Sequence, residues 1–203
     1  MLVFDHMAVS ALTLDAGVQT VEAALGVALQ GGGAHPHMAT HNRLLGLGDI
    51  YLEVIASDPA QPRPPWRRWF DLDHFTGPPR LTNWIAACED LAAELAASPP
   101  GTGTPVALSR GPYSWQMAVP SDGILPWGGA FPALIQWEGT AHPAAALEDR
   151  GVRLTRLEVG HPEADTLRAA LAGRMNDARV VIVPARTKAM QATFQTSHGV
   201  RVL

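Results

Sequence analysis

At 203 residues, of which 47% are hydrophobic and 17% charged, the chain is long enough to bury a large core in one domain or two small ones. A formal net charge of −4 argues against general attraction to nucleic acid or an anionic membrane, so a small-molecule ligand is the expected partner. Cys88 is the only cysteine, which excludes an internal disulfide and favours a cytoplasmic location. Asp5 and His6 stand where a signal peptide would be apolar, and no later run is long enough to span a membrane.

The first predicted unit is a strand, a helix and two further strands. Apolar residues predict a strand over Val3–Leu12, and their helical spacing predicts a helix over Asp15–Leu29. Two more strands, Asn42–Leu47 and Asp49–Ala56, are separated by little more than Gly48. This spacing predicts a tight hairpin.

The same plan is repeated twice more along the chain. The second unit consists of a strand, a helix and three strands, predicted over Arg80–Ala87, Glu89–Ala97, Pro105–Leu108, Ser114–Val119 and Ala133–Trp137. The third consists of the strand Arg153–Val159, a helix opened by Pro162, and strand candidates at Arg179–Pro184, Ala189–Gln195 and Val200–Leu203.

Proline-rich and glycine-rich segments separate the units. The segment Asp58–Pro65 has too many prolines for a helix or a central strand and is a predicted linker. The segment Pro120–Pro132 is a predicted long loop, of the kind that often lines sites. We therefore expect a first module over residues 1–58, a linker over 59–79, a second module over 80–140 and a partial third over 141–203, all within one compact domain.

Two polar residues stand among apolar neighbours on predicted strands. Alternation places Glu53 on one strand face with Tyr51 and Ile55. A buried carboxylate is costly unless it is paired or bound to a metal, whereas on an edge strand it would face solvent. His6 lies among apolar residues of the first strand, either as a core histidine bonded to the backbone or as a ligand.

Three histidines follow a run of three glycines, Gly31–Gly33, which is a predicted loop. Neutral imidazole is a common metal ligand, so His35, His37 and His41 could bind a metal together. Alternatively the glycines form a shaped turn, with one histidine packed inward and the others solvated. The local sequence does not choose between these interpretations, and no phosphate loop, dinucleotide fingerprint or serine elbow is present.

Five segments taken together resemble the glyoxalase-like domain family of the vicinal oxygen chelate superfamily. They are FDHMAV (Phe4–Val9), GGGAHPHMATHNRLLGLGDIYLEV (Gly31–Val54), WFDLD (Trp69–Asp73), SRGPYSWQ (Ser109–Gln116) and GILPWGGAFPALIQW (Gly123–Trp137). The resemblance implies an α+β fold of repeated βαβββ modules, with curved mixed sheets around a central cavity. The third unit would then be a partial βαββ module that caps the sheet or makes a homodimer contact.

The resemblance also implies a metal site. In that superfamily the ligands come from the first and last strands of each module, which correspond here to His6 and Glu53. Aligning NWIA with DHMA and LIQW with YLEV puts Trp84 and Gln136 at the corresponding places of the second module. Trp84 cannot bind a metal. His6 and Glu53, completed by Gln136 or His35, would form an open site of three protein ligands and water.

The function implied is an enzyme for a small carbonyl-containing or oxygenated substrate, acting as an isomerase, lyase or dioxygenase through zinc, nickel, manganese or iron. His35 and Glu53 would be catalytic, His35 as an acid or a base. The ligand-binding residues would be three apolar walls and one polar anchor: Trp84, Trp115, Trp137 and Gln136. The alternative is a metal-free protein that binds or sequesters a small molecule in the same cavity, with His6 and Glu53 hydrogen-bonded to each other. Trp84, which stands at a ligand position but cannot bind a metal, favours this alternative.

Overall fold

The computed structural model describes residues 1–203 as three successive groups of strands, each with a helix after its first strand. The first group contains β1 (Val3–Ser10), α1 (Leu14–Leu25), β2 (Gln30–His35), β3 (Thr40–Gly46) and β4 (Tyr51–Ser57). The second contains β5 (Arg80–Ala87), α2 (Leu91–Ala96), β6 (Thr104–Arg110), β7 (Tyr113–Val119), α3 (Pro126–Gly129) and β8 (Ala133–Glu138). The third contains α4 (Pro143–Ala146), β9 (Arg153–His161), α5 (Ala164–Leu171), β10 (Val180–Pro184), β11 (Ala189–Thr196) and β12 (Gly199–Val202).

Helix α1 has clear sequence signals at both ends and packs closely on the sheet. The Thr13 hydroxyl accepts a hydrogen bond from the backbone N–H of Ala16, and Gly26 ends the helix in a left-handed conformation. At Gly17 an added Cβ would lie 2.5 Å from Cγ1 of Val54. Glycine therefore allows α1 to lie directly against β4.

The first two groups form one eight-stranded sheet in the order β2-β3-β4-β1-β5-β8-β7-β6. Strand β1 is parallel to β4, β5 is parallel to β8, and β1 and β5 join the two groups in antiparallel pairing. The pairing is therefore duplicated, with one module on each side of the central β1–β5 pair. This confirms the predicted α+β fold of paired βαβββ modules.

The third group forms its own sheet in the order β10-β9-β11-β12. It contains four strands, one more than the expected βαββ unit. Its pairing also differs from that of the other modules, because β9 is parallel to β10, the strand that directly follows the helix. No helix of the chain is both long enough and apolar enough to cross a membrane.

Alternation along the central strands divides the core between the two faces of the large sheet. On one face Met7, Leu52 and Trp84 pack with α1 and with the third group. On the opposite face Ile55 and Ile135 belong to a smaller cluster, which also contains Trp69, Phe70 and Trp115. The candidate site lies on this second face.

The main departure from the predicted elements is the glycine run. Residues 31–33, a predicted loop, lie within β2, which pairs with β3 through an irregular register between Gln30 and Gly33. Local propensity disfavours glycine in a strand, but pairing with β3 overrides it.

Candidate functional site

A small buried cavity lies between the two modules on the second face of the sheet. Its volume is about 30 Å³, which is room for about two water molecules. Its polar lining residues are His6, His35, Asn42, Tyr51, Glu53 and Arg110. The other half of its twelve lining residues are aromatic or aliphatic.

The acid at the centre of this cavity is Glu53, which is 4% exposed. Alternation along β4 turns Glu53 into the cavity, whereas Leu52 and Val54 pack on the other face. Its Oε1 accepts a hydrogen bond of 2.5 Å from the Asn42 amide. Its Oε2 lies 3.8 Å from Nε2 of His6. The interpretation of Glu53 as a solvent-facing edge residue is therefore wrong.

His6 is oriented by the residue that precedes it. The pairing of β1 with β5 is irregular between Phe4 and His6, and Asp5 has no partner in the register. Such a bulge re-aims side chains, so that adjacent residues can meet instead of pointing to opposite faces. Nδ1 of His6 lies 2.5 Å from Oδ1 of Asp5, which leaves Nε2 directed toward Glu53.

Asp5 is itself held in its charged form. Its second oxygen accepts hydrogen bonds from Trp137 Nε1 at 2.8 Å and from His142 Nε2 at 3.0 Å. Burial opposes ionisation, but hydrogen bonds from His142 and His6 outweigh burial and lower the pKa of Asp5 below its usual range. A charged Asp5 accepts hydrogen bonds only, so the Nδ1 proton stays on His6.

Tyr51 completes this side of the cavity. Its ring stacks on that of His6, with a centroid distance of 4.3 Å and an interplanar angle of 12°. Burial, reinforced by the negative charges of Asp5 and Glu53, raises the pKa of Tyr51 well above its usual value. Tyr51 is therefore a neutral wall of the cavity at physiological pH.

The glycine run positions Asn42. The backbone N–H of Gly33 donates to Oδ1 of Asn42 at 2.9 Å. At Gly32, where φ is +96°, an added Cβ would lie only 2.1 Å from the Asn42 carbonyl oxygen. The glycines thus allow β2 to approach Asn42 closely, and Asn42 in turn holds Glu53.

Arg110 reaches the cavity from β6, at the opposite edge of the sheet from β2. Its Nη1 lies 2.9 Å from Oδ1 of Asn42 and 3.0 Å from Nε2 of His35. Arginine only donates hydrogen bonds, so Nε2 of His35 accepts and its Nδ1 donates to the Thr40 hydroxyl at 3.2 Å. Burial, and then the charge of Arg110, lowers the pKa of His35 to about 3. Both nitrogens of His35 are therefore engaged, and the ring is neutral.

The structure brings five of the seven predicted site residues to one cavity and places two elsewhere. The five that line it are His6, His35, Glu53, Trp115 and Trp137. Trp84 is fully buried on the other face of the sheet, where its Nε1 donates to the Ala130 carbonyl at 2.8 Å. The Gln136 side chain accepts a hydrogen bond of 2.8 Å from the backbone N–H of Leu91, at the start of α2.

A shift of one residue explains both misplacements. Successive side chains of a strand point to opposite faces, so an alignment that is off by one exchanges the two faces. His6 pairs with Ile85, and Trp84 pairs with Met7. On β8 the residues that line the cavity are Ile135 and Trp137.

The two remaining histidines of the opening segment lie outside the cavity. His37 is exposed and stacks on Trp66 with a centroid distance of 4.4 Å. His41 is partly buried, with Nδ1 3.9 Å from Oδ1 of Asp58. The second interpretation of this segment therefore holds for His35, which faces inward, and for His37, which is exposed, but not for His41, whose Nε2 is buried.

Sequence reasoning missed four polar residues of the site: Asp5, Asn42, Tyr51 and Arg110. Asn42 carries a usable signal, because it lies two residues before Leu44, the partner of Glu53 across the β3–β4 hairpin, and therefore shares its face. Asp5 depends on a bulge, and Arg110 meets Asn42 across 68 positions of sequence. Nothing local indicates either contact.

The donors present do not fit the expected metal site. No three side chains among histidine, cysteine, aspartate and glutamate lie close enough together to hold one ion. Only His6 Nε2 and Glu53 Oε2 face each other, and Gln136 lies on the other face of the sheet. His35, the other expected ligand, directs its Nε2 to the guanidinium of Arg110. The nitrogen that would be the third metal ligand is therefore bonded to the positively charged guanidinium of Arg110.

Comparison with known families and structures gives the following matches. Residues 4–174 match the family model described as a glyoxalase-like domain. A hypothetical protein from Staphylococcus aureus is 14% identical, with a TM-score of 0.60 over 93% of this chain and 88% of that one. This likeness concerns the fold alone.

Two epimerase structures are more distant. Methylmalonyl-CoA epimerase from Streptomyces coelicolor is 15% identical, with a TM-score of 0.45 over 69% of this chain and 96% of that one. The Mycobacterium tuberculosis enzyme of the same name is 17% identical, with a TM-score of 0.44 over 68% and 88%. A comparison with curated proteins gives no match.

Proposed function

Because the chain belongs to the glyoxalase-like domain family of the vicinal oxygen chelate superfamily, we propose that it is an enzyme that moves a proton on a small carbonyl-containing substrate. The observation that carries the proposal is the buried pair of Glu53 Oε2 and His6 Nε2, which face each other at 3.8 Å in the inner cavity. Two neighbouring groups that can each hold a proton, in the wall of one cavity, suit proton transfer.

Glu53 is the proposed base. The Asn42 amide holds Oε1, so the carboxylate has one fixed orientation and one free oxygen. Glu53 is buried away from bulk water, which strengthens any interaction with a substrate proton. A substrate carbon placed beside Oε2 would lose its proton to Glu53.

His6 is the proposed partner of Glu53. The charged Asp5 holds the Nδ1 proton, as the carboxylate does in other histidine-based sites, and directs Nε2 to the cavity. A proton held on either Glu53 or His6 is stabilised by the other group. The pair can therefore take a proton at one position of the substrate and return one at another.

Arg110 is the proposed stabiliser of negative charge. Removing a proton next to a carbonyl places negative charge on the carbonyl oxygen, and a fixed cation lowers the energy of that state. The guanidinium of Arg110 lines the cavity, and Asn42 and His35 hold it there. It would act where the family resemblance suggested a divalent metal.

Solvent exchange tests the proposal without knowledge of the natural substrate. The enzyme is incubated in D₂O with small ketones, 2-oxo acids and 2-hydroxyketones, and proton NMR follows the loss of signals next to the carbonyl. We expect the wild type to accelerate exchange for at least one compound. The Glu53→Gln substitution should lower that exchange rate by about 10²- to 10⁴-fold. Glu138→Gln, at the exposed end of β8, is the matched control and should retain it.

Three outcomes would overturn the proposal. Loss of exchange on dialysis against a chelator, with recovery on adding zinc, nickel, manganese or iron, would establish the metal enzyme. Saturable binding of these compounds without exchange faster than in buffer would establish the metal-free binding protein. An exchange rate that is unchanged in Glu53→Gln would remove Glu53 as the base.

A further inference from the structure

A second and larger cleft lies where the linker, the loop before β8 and the third group meet β5. Its volume is about 410 Å³, and Phe70 is the one residue that it shares with the inner cavity. It contains Lys188, the only lysine in the chain. The titratable residues that line it are Asp71, His74, Arg80 and Lys188.

Two backbone carbonyls hold the ammonium group of Lys188, which leaves one of its N–H donors without a partner. Its Nζ donates to the carbonyl oxygen of Thr82 and, at 2.7 Å, to that of Gly128. An ammonium group has three donors, so one is left for a ligand. Burial, and then the neighbouring charge of Arg80, lowers the pKa of Lys188 to about 8.

Arg80 adds a second cation without a carboxylate partner. Its Nη1 donates to the backbone carbonyls of Thr76 and Pro78, at 2.7 and 3.2 Å. Its guanidinium carbon lies 4.4 Å from the centre of the Phe75 ring. The one acid of the cleft, Asp71, is bonded to His74 at 2.6 Å. The cleft therefore has an excess of positive charge.

Asn83 adds a neutral hydrogen-bonding group to the wall of the cleft. It is only 3% exposed. Its amide can both donate and accept a hydrogen bond, so it can bond to a polar group that enters the cleft. At Gly129 an added Cβ would lie 2.4 Å from Nδ2 of Asn83, so glycine leaves room for the amide.

We propose that this cleft is a second binding site, for a small molecule that carries a carboxylate or phosphate on an apolar body. The anion would lie between Lys188 and Arg80 and accept a hydrogen bond from Asn83. The apolar body would pack on side chains that also line the cleft, among them Phe70, Leu125 and Met190. The site does not depend on chemistry in the inner cavity.

Calorimetric titration of the wild type with phenyl phosphate, phenylacetate and the neutral phenylacetamide tests the proposal. We expect the two anions to bind saturably and phenylacetamide to bind at least about tenfold more weakly, because it cannot form charge-assisted hydrogen bonds. The stronger anion identifies the group that the site prefers. Equal affinity for phenylacetamide and phenylacetate would overturn the proposal.

Variants locate the binding. Lys188→Met should lower the affinity for the preferred anion by about 10- to 100-fold, whereas Lys188→Arg should retain most of that affinity. Arg186→Met, an exposed cation two residues away, is the matched control and should bind like the wild type. Equal affinities of Lys188→Met and the wild type would place the anion elsewhere.

The single lysine gives a readout that does not need a variant. Protein labelled with ¹³C-lysine has one Cε signal, and its titration reports Lys188 alone. A bound anion should shift the midpoint of that titration upward, because it stabilises the ammonium form. An unchanged midpoint with saturating phenyl phosphate would show that the anion does not reach Lys188.

Discussion

The two modules of the large sheet have the same order of elements and the same strand pairing, but they present different chemistry to the inner cavity. The first module contributes His6, Tyr51 and Glu53 from its central strands. At the corresponding place the second module contributes Ile135 and Trp137. The duplicated fold has therefore not duplicated the polar site.

The physical reason is that a buried charge needs its own partners. Glu53 has Asn42 and His6, and the glycines of β2 hold Asn42 in place. Ile135 belongs to an apolar cluster, where a carboxylate would be left unpaired. One module thus concentrates the charges, and the other supplies walls and a single cation, Arg110.

The largest effect is expected from replacing Trp84, and it tests the assignment of this residue to the core of the second module. Trp84→Ala should lower the free energy of unfolding by about 3–5 kcal/mol, because it empties a fully buried position. The proton exchange rate of the folded protein should be unchanged, because Trp84 faces away from the cavity. Urea unfolding followed by circular dichroism measures the first effect. Trp66→Ala, at a position that is 45% exposed, is the control, and an equal loss there would contradict the assignment.

The next effect concerns the glycines that support the first module. Gly32→Ala should destabilise the protein by about 1–3 kcal/mol more than Gly111→Ala. Both positions have positive φ, but an added Cβ would meet the Asn42 carbonyl at Gly32 and nothing within 4 Å at Gly111. The pair of variants therefore separates close approach from backbone strain. Equal losses in denaturant unfolding would mean that strain alone requires the glycines.

His35 makes the stability of the first module depend on pH. Its pKa is lowered from 6.5 to about 3, so between these values the unfolded chain binds a proton that the folded protein does not. Stability should fall as pH decreases from 6.5 toward 3, with a slope of up to about 1.4 kcal/mol per pH unit from this residue. Unfolding free energies measured across this range check the slope.

The matched variants for this pH effect are His35→Gln and His37→Gln. His35→Gln should make the free energy of unfolding depend less on pH, whatever its effect on the absolute stability. His37 is exposed on the same segment, and its replacement should leave the slope unchanged. Equal slopes in the wild type and in His35→Gln would show that His35 does not titrate as its burial requires.

The smallest effect concerns Gln136 on the second module. Gln136→Leu should cost about 1 kcal/mol, because the backbone N–H of Leu91 loses its acceptor. Its cross-strand partner Gln116 has no such bond, so Gln116→Leu should change stability by less than about 0.5 kcal/mol. Thermal unfolding compares the two. A loss of proton exchange in Gln136→Leu would instead place Gln136 in the site.

Much of the fold could be predicted because its signals are local. Alternating apolar residues indicated β3 and β4, and helical spacing of apolar residues indicated α1. The strand β2 could not be predicted, because three glycines favour a loop until pairing with β3 is known. The strand candidate Val200–Leu203 corresponds to β12, although the implied βαββ unit has only two strands after its helix.

By itself, the sequence determined the module plan, the family, and the choice of Glu53 and His6 as the polar residues of the central strands. These follow from periodicity and motif, which are properties of short segments. Only the tertiary structure decided which face each strand turns to the cavity, since a shift of one residue moved Trp84 and Gln136 to the opposite side. It also decided that Arg110 meets Asn42 from the far edge of the sheet. Such contacts depend on how the sheet curves, which no local pattern encodes.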